Sequence, residues 1–292
     1  MKKNLPYNNH ISDDEFLNSL PEIETSFSKS KEEVWDELSG LMEDKQKITI
    51  PPTVTLNRFT FRHRVIYAVA ALVVVLLATG VFIRFYTKTV ISEMGQQITA
   101  LLPDGSTIEL NAGSTISYHP YYWKWQRHVH FEGEGFFKVQ KGKSFEVVSA
   151  KGKTMVLGTS FNIYSRKDEY KVTCYTGKVR VVNNSSGQSA DIEPNQQAMI
   201  DNGHVIKQDK TNTENTISWR DGMFIFTAAP ILDVLDEIER QYGVIIKTKE
   251  KLNYNYTGNF TRDQSIEDVL HTVCLALNLT YKKVNNGYMV SK

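Results

Sequence analysis

An uncharged run of nineteen residues, 65–83, constrains this chain more than any other feature of its sequence. The run is apolar on every face of a helix, whereas a helix on a protein surface keeps a polar side. A bilayer core is about 30 Å thick, and roughly 20 apolar helical residues cross it. The run also begins too far from the N-terminus, and is too long, for an ordinary secretory signal. The sequence therefore predicts one transmembrane helix over residues 65–83.

The charges that flank this run predict its orientation. Arg58, Arg62 and Arg64 precede the run, and only Arg84 and Lys88 follow it closely. Because the more basic flank of a membrane helix stays in the cytoplasm, we expect residues 1–57 to be cytoplasmic and the long C-terminal part to lie outside.

Charge and cysteine content exclude several classes of function. The chain has 292 residues and a net charge of +1, which argues against direct binding of nucleic acid. Cys174 and Cys274 lie in apolar surroundings and are expected to be buried core residues. Residues 1–57 carry eleven acidic residues and six lysines, so this segment suits a basic partner.

A single amphipathic helix is predicted within the acidic segment. Ser30 and Glu33 have the spacing of a capping box, which starts a helix. Five apolar residues then fall on one helical face; they are Val34, Trp35, Leu38, Leu41 and Met42. This stripe either packs on a small local core with Ile11, Phe16 and Leu20, or binds in the groove of a partner protein.

Two further domains are predicted beyond the membrane helix. Residues 95–207 show many short alternating segments separated by turn sequences, which indicates an all-β domain. Residues 218–292 show the order β-α-β-β-α-β-β and close with an "NNG" hairpin turn, which indicates a small α+β domain. The expected fold is a membrane-anchored multidomain chain, with a short α-helical cytoplasmic segment before the membrane helix.

Several sequence segments, in a fixed order, resemble the FecR-like family of transmembrane anti-sigma factors. In the β domain they are "LPDGSTIELNAGSTISY" at 102–118, "RHVHFEGEGFFKV" at 127–139, "FEVVSAKGKTMVLGTSFNIYS" at 145–165 and "GKVRV" at 177–181. In the C-terminal domain they are "SWRDGMFIF" at 218–226, "IERQYGVII" at 238–246 and "YTGNF" at 256–260. That last domain is similar to the short domains of secretins and TonB systems.

The resemblance implies a role in signalling. The family inhibits an extracytoplasmic-function sigma factor at the inner membrane and receives a signal from a TonB-dependent receptor in the outer membrane. It implies that the β domain and the C-terminal domain are periplasmic. Its partners would be the sigma factor, the receptor's signalling domain, inner-membrane proteases and the lipid bilayer. The C-terminal domain would bind the receptor.

The final strands supply the residues expected to bind that receptor. We expect one of these strands to lie at a sheet edge, where unpaired backbone groups can add a partner strand. Alternate side chains would give specificity, either Tyr281 and Lys283 or Tyr288 and Val290.

One stretch of the β domain allows a covalent step. The resemblance implies that some family members cleave themselves at a Gly–Thr bond, and Gly158 and Thr159 match it. The alternative is that Gly158 is required only by a tight turn.

No enzyme motif is present in the sequence, and we expect neither an enzymatic activity nor a cofactor. His128 and His130 can share a strand face, but two ligands with no evident third do not predict a metal site. The aromatic stretch "YYWKW" at 121–125 is consistent with packing, partner contact or a sugar platform. The alternative to a signalling role is therefore a membrane-anchored glycan-binding or envelope-assembly protein.

The predicted topology can be tested with reporter fusions. A phosphatase that folds only outside the cytoplasm should be active when fused after Gly203 and silent when fused after Glu22, because the basic flank precedes the apolar run. Activity after Glu22 together with silence after Gly203 would show the opposite orientation.

Overall fold

The structure of the chain is a computed structural model that describes residues 18, 28–44, 58–209 and 212–292. Contacts divide the chain into two units, Met1–Tyr67 and Ala68–Lys292.

The first unit contains helix α1, Lys31–Asp44, and the first residues of helix α2, Arg58–Phe85. The predicted capping box starts α1. The Glu33 amide donates to Ser30 Oγ at 3.3 Å, and the Ser30 amide donates to Glu33 Oε2 at 3.0 Å. These two bonds satisfy free N–H groups at the helix start.

Helix α2 contains the predicted membrane span. Among the described residues, one helix, Arg62–Phe85, is long and apolar enough by length and composition to cross a membrane. At about 1.5 Å per residue, its length suits a bilayer core. The helix extends beyond the predicted 65–83 at both ends, because residues with polar or charged side chains can continue a helix where it leaves an apolar environment.

The β domain of the second unit consists of thirteen strands. Strands β1 to β7 are Lys88–Ser92, Ile98–Leu101, Thr107–Leu110, Ser114–Tyr118, Arg127–Lys138, Phe145–Val148 and Gly152–Val156. Strands β8 to β13 are Ser160–Arg166, Glu169–Thr176, Val179–Asn183, Ser189–Ile192, Gln196–Asp201 and His204–Asp209. The predicted all-β domain is therefore confirmed.

The long strand β5 joins two sheets into a sandwich. Its first half pairs with β4 and β6, and its second half pairs with β3 and β8. One sheet continues from β6 through β7 and β10 to β11, and the other from β8 through β9 and β12 to β13. Buried side chains of both sheets form one apolar core, as with Val129 and Val181 from one and Phe137 and Ile163 from the other.

The sandwich begins earlier than the sequence pattern indicates. Strand β1 pairs with β4 from Lys88↔Tyr118 to Ser92↔Ser114, before the expected start at Gly95. Only Ser92 of β1 is fully buried. The strand therefore lacks the regular alternation of apolar and polar residues that predicts the other strands.

The C-terminal domain has the predicted order of elements. Its elements are β14 (Met223–Pro230), helix α3 (Ile231–Tyr242), β15 (Ile245–Thr248), β16 (Asn255–Thr261), helix α4 (Ile266–Ala276), β17 (Thr280–Val284) and β18 (Gly287–Ser291). Strand β14 pairs with β16, and a second sheet has the order β15-β18-β17. Two short 3-10 helices, Glu214–Thr216 and Ser218–Asp221, precede the domain.

The "NNG" sequence forms the predicted hairpin turn between β17 and β18, in which Val284 pairs with Gly287. Gly287 is required for a second reason, because a Cβ atom at this position would lie 1.9 Å from the carbonyl oxygen of Ile245 on the parallel neighbour β15. The glycine therefore lets three strands assemble at this point.

Candidate functional site

The apolar stripe of α1 is exposed. All five of its side chains lie in contact with solvent, and Trp35 and Met42 are 73% and 70% exposed. Ile11, Phe16 and Leu20, the alternative packing partners, lie outside the described residues. A row of large apolar side chains on one helix face is the form in which helices bind protein grooves.

One of the two strands of the final hairpin is central in its sheet, so its side chains cannot serve as the expected receptor-binding residues. Strand β18 lies between β15 and β17, and Tyr288 and Val290 are buried in the core of the C-terminal domain. A partner cannot contact these two side chains, so their assignment as binding residues is wrong. Central strands bury alternate side chains against the helices that cover the sheet, and sequence alternation alone does not separate them from edge strands.

Strand β17 is the edge strand of this hairpin, and it carries Tyr281 and Lys283. Among the described residues, β17 pairs with β18 alone. Lys283 is exposed and lies 3.3 Å from the Glu267 carboxylate, and the Tyr281 hydroxyl donates to the Glu267 carbonyl at 3.2 Å. The edge is therefore held against the first turn of α4 while its outer backbone groups stay open.

Gly158 and Thr159 lie in the connection between β7 and β8. The amides of Val139 and Gly142 donate to the carbonyls of Thr159 and Leu157 at 2.9 and 2.8 Å, so the connection is fastened on both sides. A Cβ atom at Gly158 would lie 2.7 Å from Lys141 Cα, which explains the glycine by close approach of the backbone. Thr159 Oγ1 is buried and makes no hydrogen bond. The site thus contains a bend whose close backbone approach requires a glycine, and a hydroxyl that no other group engages.

The two histidines share a strand face as predicted. His128 Nε2 and His130 Nε2 lie 3.3 Å apart on β5. Burial, followed by the nearby His130, lowers the pKa of His128, which favours the neutral imidazole. Within the described ranges, no group of three or more His, Cys, Asp or Glu side chains is placed to hold a metal ion.

The β domain and the C-terminal domain meet at a junction that the sequence analysis did not find. Phe136 of β5 is buried in the core of the C-terminal domain, together with Trp219. The Arg220 guanidinium stacks 4.2 Å from the Phe136 ring centroid and donates two hydrogen bonds of 2.7 Å to the Glu109 carboxylate on β3. A bidentate pair of this kind fixes orientation as well as supplying energy.

A buried cluster of charged groups completes the junction. Asn111 and Asn162 donate to the two oxygens of Glu134 at 2.9 and 3.2 Å. From α3, Gln241 donates to Asn111 Oδ1 at 2.9 Å and to Glu237 at 2.7 Å. Four more groups act electrostatically on Glu134 or on its neighbours. They are the carboxyl group of Glu237, the guanidinium groups of Arg240 and Arg166, and the phenol of Tyr164.

Glu134 is the titratable group of this cluster. Burial, and then the nearby Glu237 carboxyl, raise the pKa of Glu134 to about 7, against the lowering effect of Arg166. Desolvation disfavours the ionised carboxylate, and a second carboxyl adds to the effect. Groups with a shifted pKa are found more often at functional sites of proteins than elsewhere.

Sequence reasoning missed this junction because its signal is weak. In the alternating pattern of β5, Glu134 occupies an ordinary outward position, and Phe136 is one aromatic residue among many. The adjacent pair Phe136 and Phe137 was the available sign, since two large apolar neighbours on one strand bury both faces.

The described parts define a membrane-anchored class of protein, with a β-sandwich and a docked α+β domain that follow a helix able to span a bilayer. The family models agree with this arrangement: "FecR protein" matches residues 88–180, and "FecR, C-terminal" matches residues 223–290. The chain belongs to the FecR-like family.

Solved structures show the same fold. Two crystal structures of a candidate anti-sigma factor from Parabacteroides distasonis ATCC 8503, at 2.50 and 1.65 Å resolution, each have a TM-score of 0.64 and 26% sequence identity to this chain. They cover 71% and 70% of this chain and 99% of their own. No curated protein sequence matches the chain.

The raised pKa of Glu134 predicts a pH-dependent stability. In the unfolded chain this group titrates near its usual 4.5, and in the folded chain near 7. The folded state therefore binds the extra proton between these values, and the contribution of Glu134 to the free energy of unfolding falls as the pH rises through that window. Above pH 7 the carboxylate of Glu134 is ionised in the folded chain, and the free energy of unfolding is lowered by the full cost of burying that charge.

Glu134→Gln should remove this dependence. The glutamine can be accommodated if the Asn162 amide rotates, because Asn162 Oδ1 has no hydrogen-bond partner and can accept from the new N–H. In denaturant unfolding of the full chain, the variant should gain stability over the wild type at pH 8 and lose that advantage at pH 5. Glu132→Gln, an exposed position on the same strand, is the control. An identical pH profile for wild type and Glu134→Gln would contradict the assignment.

Proposed function

We propose that the chain is an anti-sigma factor, which holds an extracytoplasmic-function sigma factor at the inner membrane and releases it on a signal from outside. In this role the chain regulates by binding, without enzymatic activity. Membership of the FecR-like family, together with structural similarity to a candidate anti-sigma factor, supports the general role.

The exposed stripe of α1 is the observation that carries this proposal. A membrane anchor alone needs no amphipathic helix before its span. The helix presents five apolar side chains, and the first turn carries Glu32 and Glu33. An acidic, apolar helix is complementary to a groove with a basic rim. Val34, Trp35, Leu38, Leu41 and Met42 would fill that groove.

The C-terminal domain is proposed to bind the signalling domain of a TonB-dependent receptor. Its open edge strand β17 can pair with a strand of the partner, and Tyr281 and Lys283 would contribute side-chain contacts. Binding must favour one state of the domain over another to pass a signal on. The junction at Phe136 and Glu134 is suited to that task because it links β17's domain to the sandwich.

Release is proposed to proceed by regulated proteolysis of the segment 88–95 by inner-membrane proteases. Residues 88–92 form β1 and are paired with β4. A protease needs an extended, unpaired substrate, so β1 must first leave the sheet. Protection of this segment by pairing, with release on signal, would keep the inhibited state stable.

Self-cleavage between Gly158 and Thr159 is proposed as an earlier processing step. The Thr159 hydroxyl would attack the Gly158 carbonyl carbon, the peptide bond would become an ester with a free Thr159 amine, and water would hydrolyse the ester to a Gly158 carboxylate. Strands β7 and β8 flank the bond and pair with different neighbours, β6 and β10 on one side and β5 and β9 on the other. The two pieces would therefore stay associated.

Matched substitutions of Thr159 test this step. Thr159→Ser keeps a hydroxyl, and the chain should still appear as two pieces on a denaturing gel. Thr159→Val removes it, and the chain should stay intact. Because the hydroxyl is buried without a partner, the valine should leave thermal stability unchanged or raise it. Cleavage in Thr159→Val equal to that of the wild type, or an uncleaved wild type, would contradict the proposal.

Trp35→Ala tests the anti-sigma function itself. A buried aromatic anchor typically carries about 2 kcal/mol or more of an interface, so the affinity of residues 1–57 for the sigma factor should fall roughly 30-fold, and target genes should be derepressed. Gly40→Ala, on the opposite helix face with open space around its Cβ, raises helix propensity and is the control. Unchanged affinity in Trp35→Ala would contradict the role of the stripe.

A further inference from the structure

The loop between β4 and β5, residues 119–126, presents aromatic side chains beside the end of α2. We name it the aromatic loop. The Tyr121 ring lies 5.8 Å from the Phe82 ring and 5.4 Å from the Tyr86 ring. The Arg84 guanidinium lies 4.5 Å over the Tyr122 ring. All of these groups belong to the second unit, and they place the loop against the last turn of the helix.

One buried side chain anchors the loop to the sandwich, and its outward rings are uncovered. Trp123 is buried in the sandwich core and makes edge contacts with Tyr118 and Phe145. On either side of this anchor, Tyr121 and Trp125 remain 54% and 65% exposed. Large rings held in place yet left in solvent indicate a surface that another phase or partner covers.

The depth of the contact indicates which partner covers it. Phe82 lies inside the uncharged run 65–83, about 4.5 Å along the helix from Phe85. A side chain that packs on Phe82 must lie at the same depth as the last apolar turn of the span. Tyrosine and tryptophan are enriched at that depth, where an apolar ring meets a polar layer. The neighbouring cations Arg84 and Lys124 suit the phosphates of lipid headgroups.

We infer that the aromatic loop rests in the lipid interface of the membrane that α2 crosses, with the Tyr121 and Trp125 rings among the headgroups. The inference rests on the proposed membrane insertion of α2. It gives the β domain a second attachment to the bilayer and assigns the exposed rings to lipid rather than to sugar. Strand β5 follows directly from this loop, so the sandwich is held at a set height above the membrane.

Depth-dependent fluorescence quenching of the full chain tests the inference. The chain is reconstituted in vesicles of phosphatidylcholine and phosphatidylglycerol that carry spin-labelled lipids, with nitroxides at the headgroup or deep in the acyl chain. A fluorophore is attached to Trp125→Cys, to Val74→Cys in the middle of the apolar run, or to Leu275→Cys on α4. The native Cys174 and Cys274 are buried and do not compete for the label.

The expected result is strong quenching of position 125 by headgroup nitroxides, strong quenching of position 74 by deep nitroxides, and several-fold weaker quenching of position 275 by both. Deep quenching at 74 with position 125 no more quenched than 275 would overturn the inference and leave the membrane span intact. Weak quenching at 74 would overturn the span, and the inference with it.

A second variant tests whether the two rings hold the loop at the membrane. A fluorophore at Lys124→Cys should be quenched by headgroup nitroxides in the wild-type loop and should fall to the level of position 275 in the Tyr121→Ser, Trp125→Ser background. Both side chains are more than half exposed and lie outside the sandwich core, so the β domain should stay folded. Quenching at 124 that survives the double substitution would contradict a contact made by these rings.

Discussion

Adjacent side chains of β5 enter two different hydrophobic cores, and the arrangement of the second unit depends on this. Phe137 is buried in the sandwich, and Phe136 is buried with Trp219 in the C-terminal domain. Successive residues of a strand point to opposite faces, so one strand is shared by both domains. Burial of a phenylalanine side chain contributes about 1.5–3 kcal/mol, and separation of the domains would expose this ring and leave Arg220 without its stacking partner.

The same strand also connects the junction to the proposed membrane contact. It starts directly after the aromatic loop and carries Glu134 and Phe136 near its other end. Strand β5 therefore links the junction to the loop that contacts the last turn of α2. The junction combines an apolar core around Phe136 and Trp219 with two polar features, the Arg220–Glu109 pair and the buried Glu134 cluster.

The sequence predicted those elements whose side-chain pattern is regular. The uncharged run, the capping box at Ser30, and the β-α-β-β-α-β-β order all follow from local rules, and each is confirmed. Strand β1 was missed because most of its side chains are exposed, so apolar and polar residues do not alternate along it. The burial of Tyr288 and Val290 was missed because the order of strands in a sheet depends on distant pairing, here of β18 with β15.

The junction was beyond sequence reasoning for a similar reason. Glu109 and Arg220 are 111 residues apart in the chain, and nothing local marks them as partners. Glu134 has the sequence context of a solvated carboxylate, and its pKa is raised because the fold buries it and, in addition, because α3 brings Glu237 beside it. Contacts of this kind arise from the tertiary fold, whereas α1 and α2 are specified by their own residues.

Photocross-linking in living cells tests whether the α1 stripe holds a sigma factor. A photoreactive amino acid at position 35 should form a covalent adduct with an extracytoplasmic-function sigma factor in uninduced cells. The same group at position 36, on the opposite face of α1, should give little of it. Absence of a sigma-factor adduct from position 35, with the chain present in the membrane, would contradict sigma-factor binding by α1.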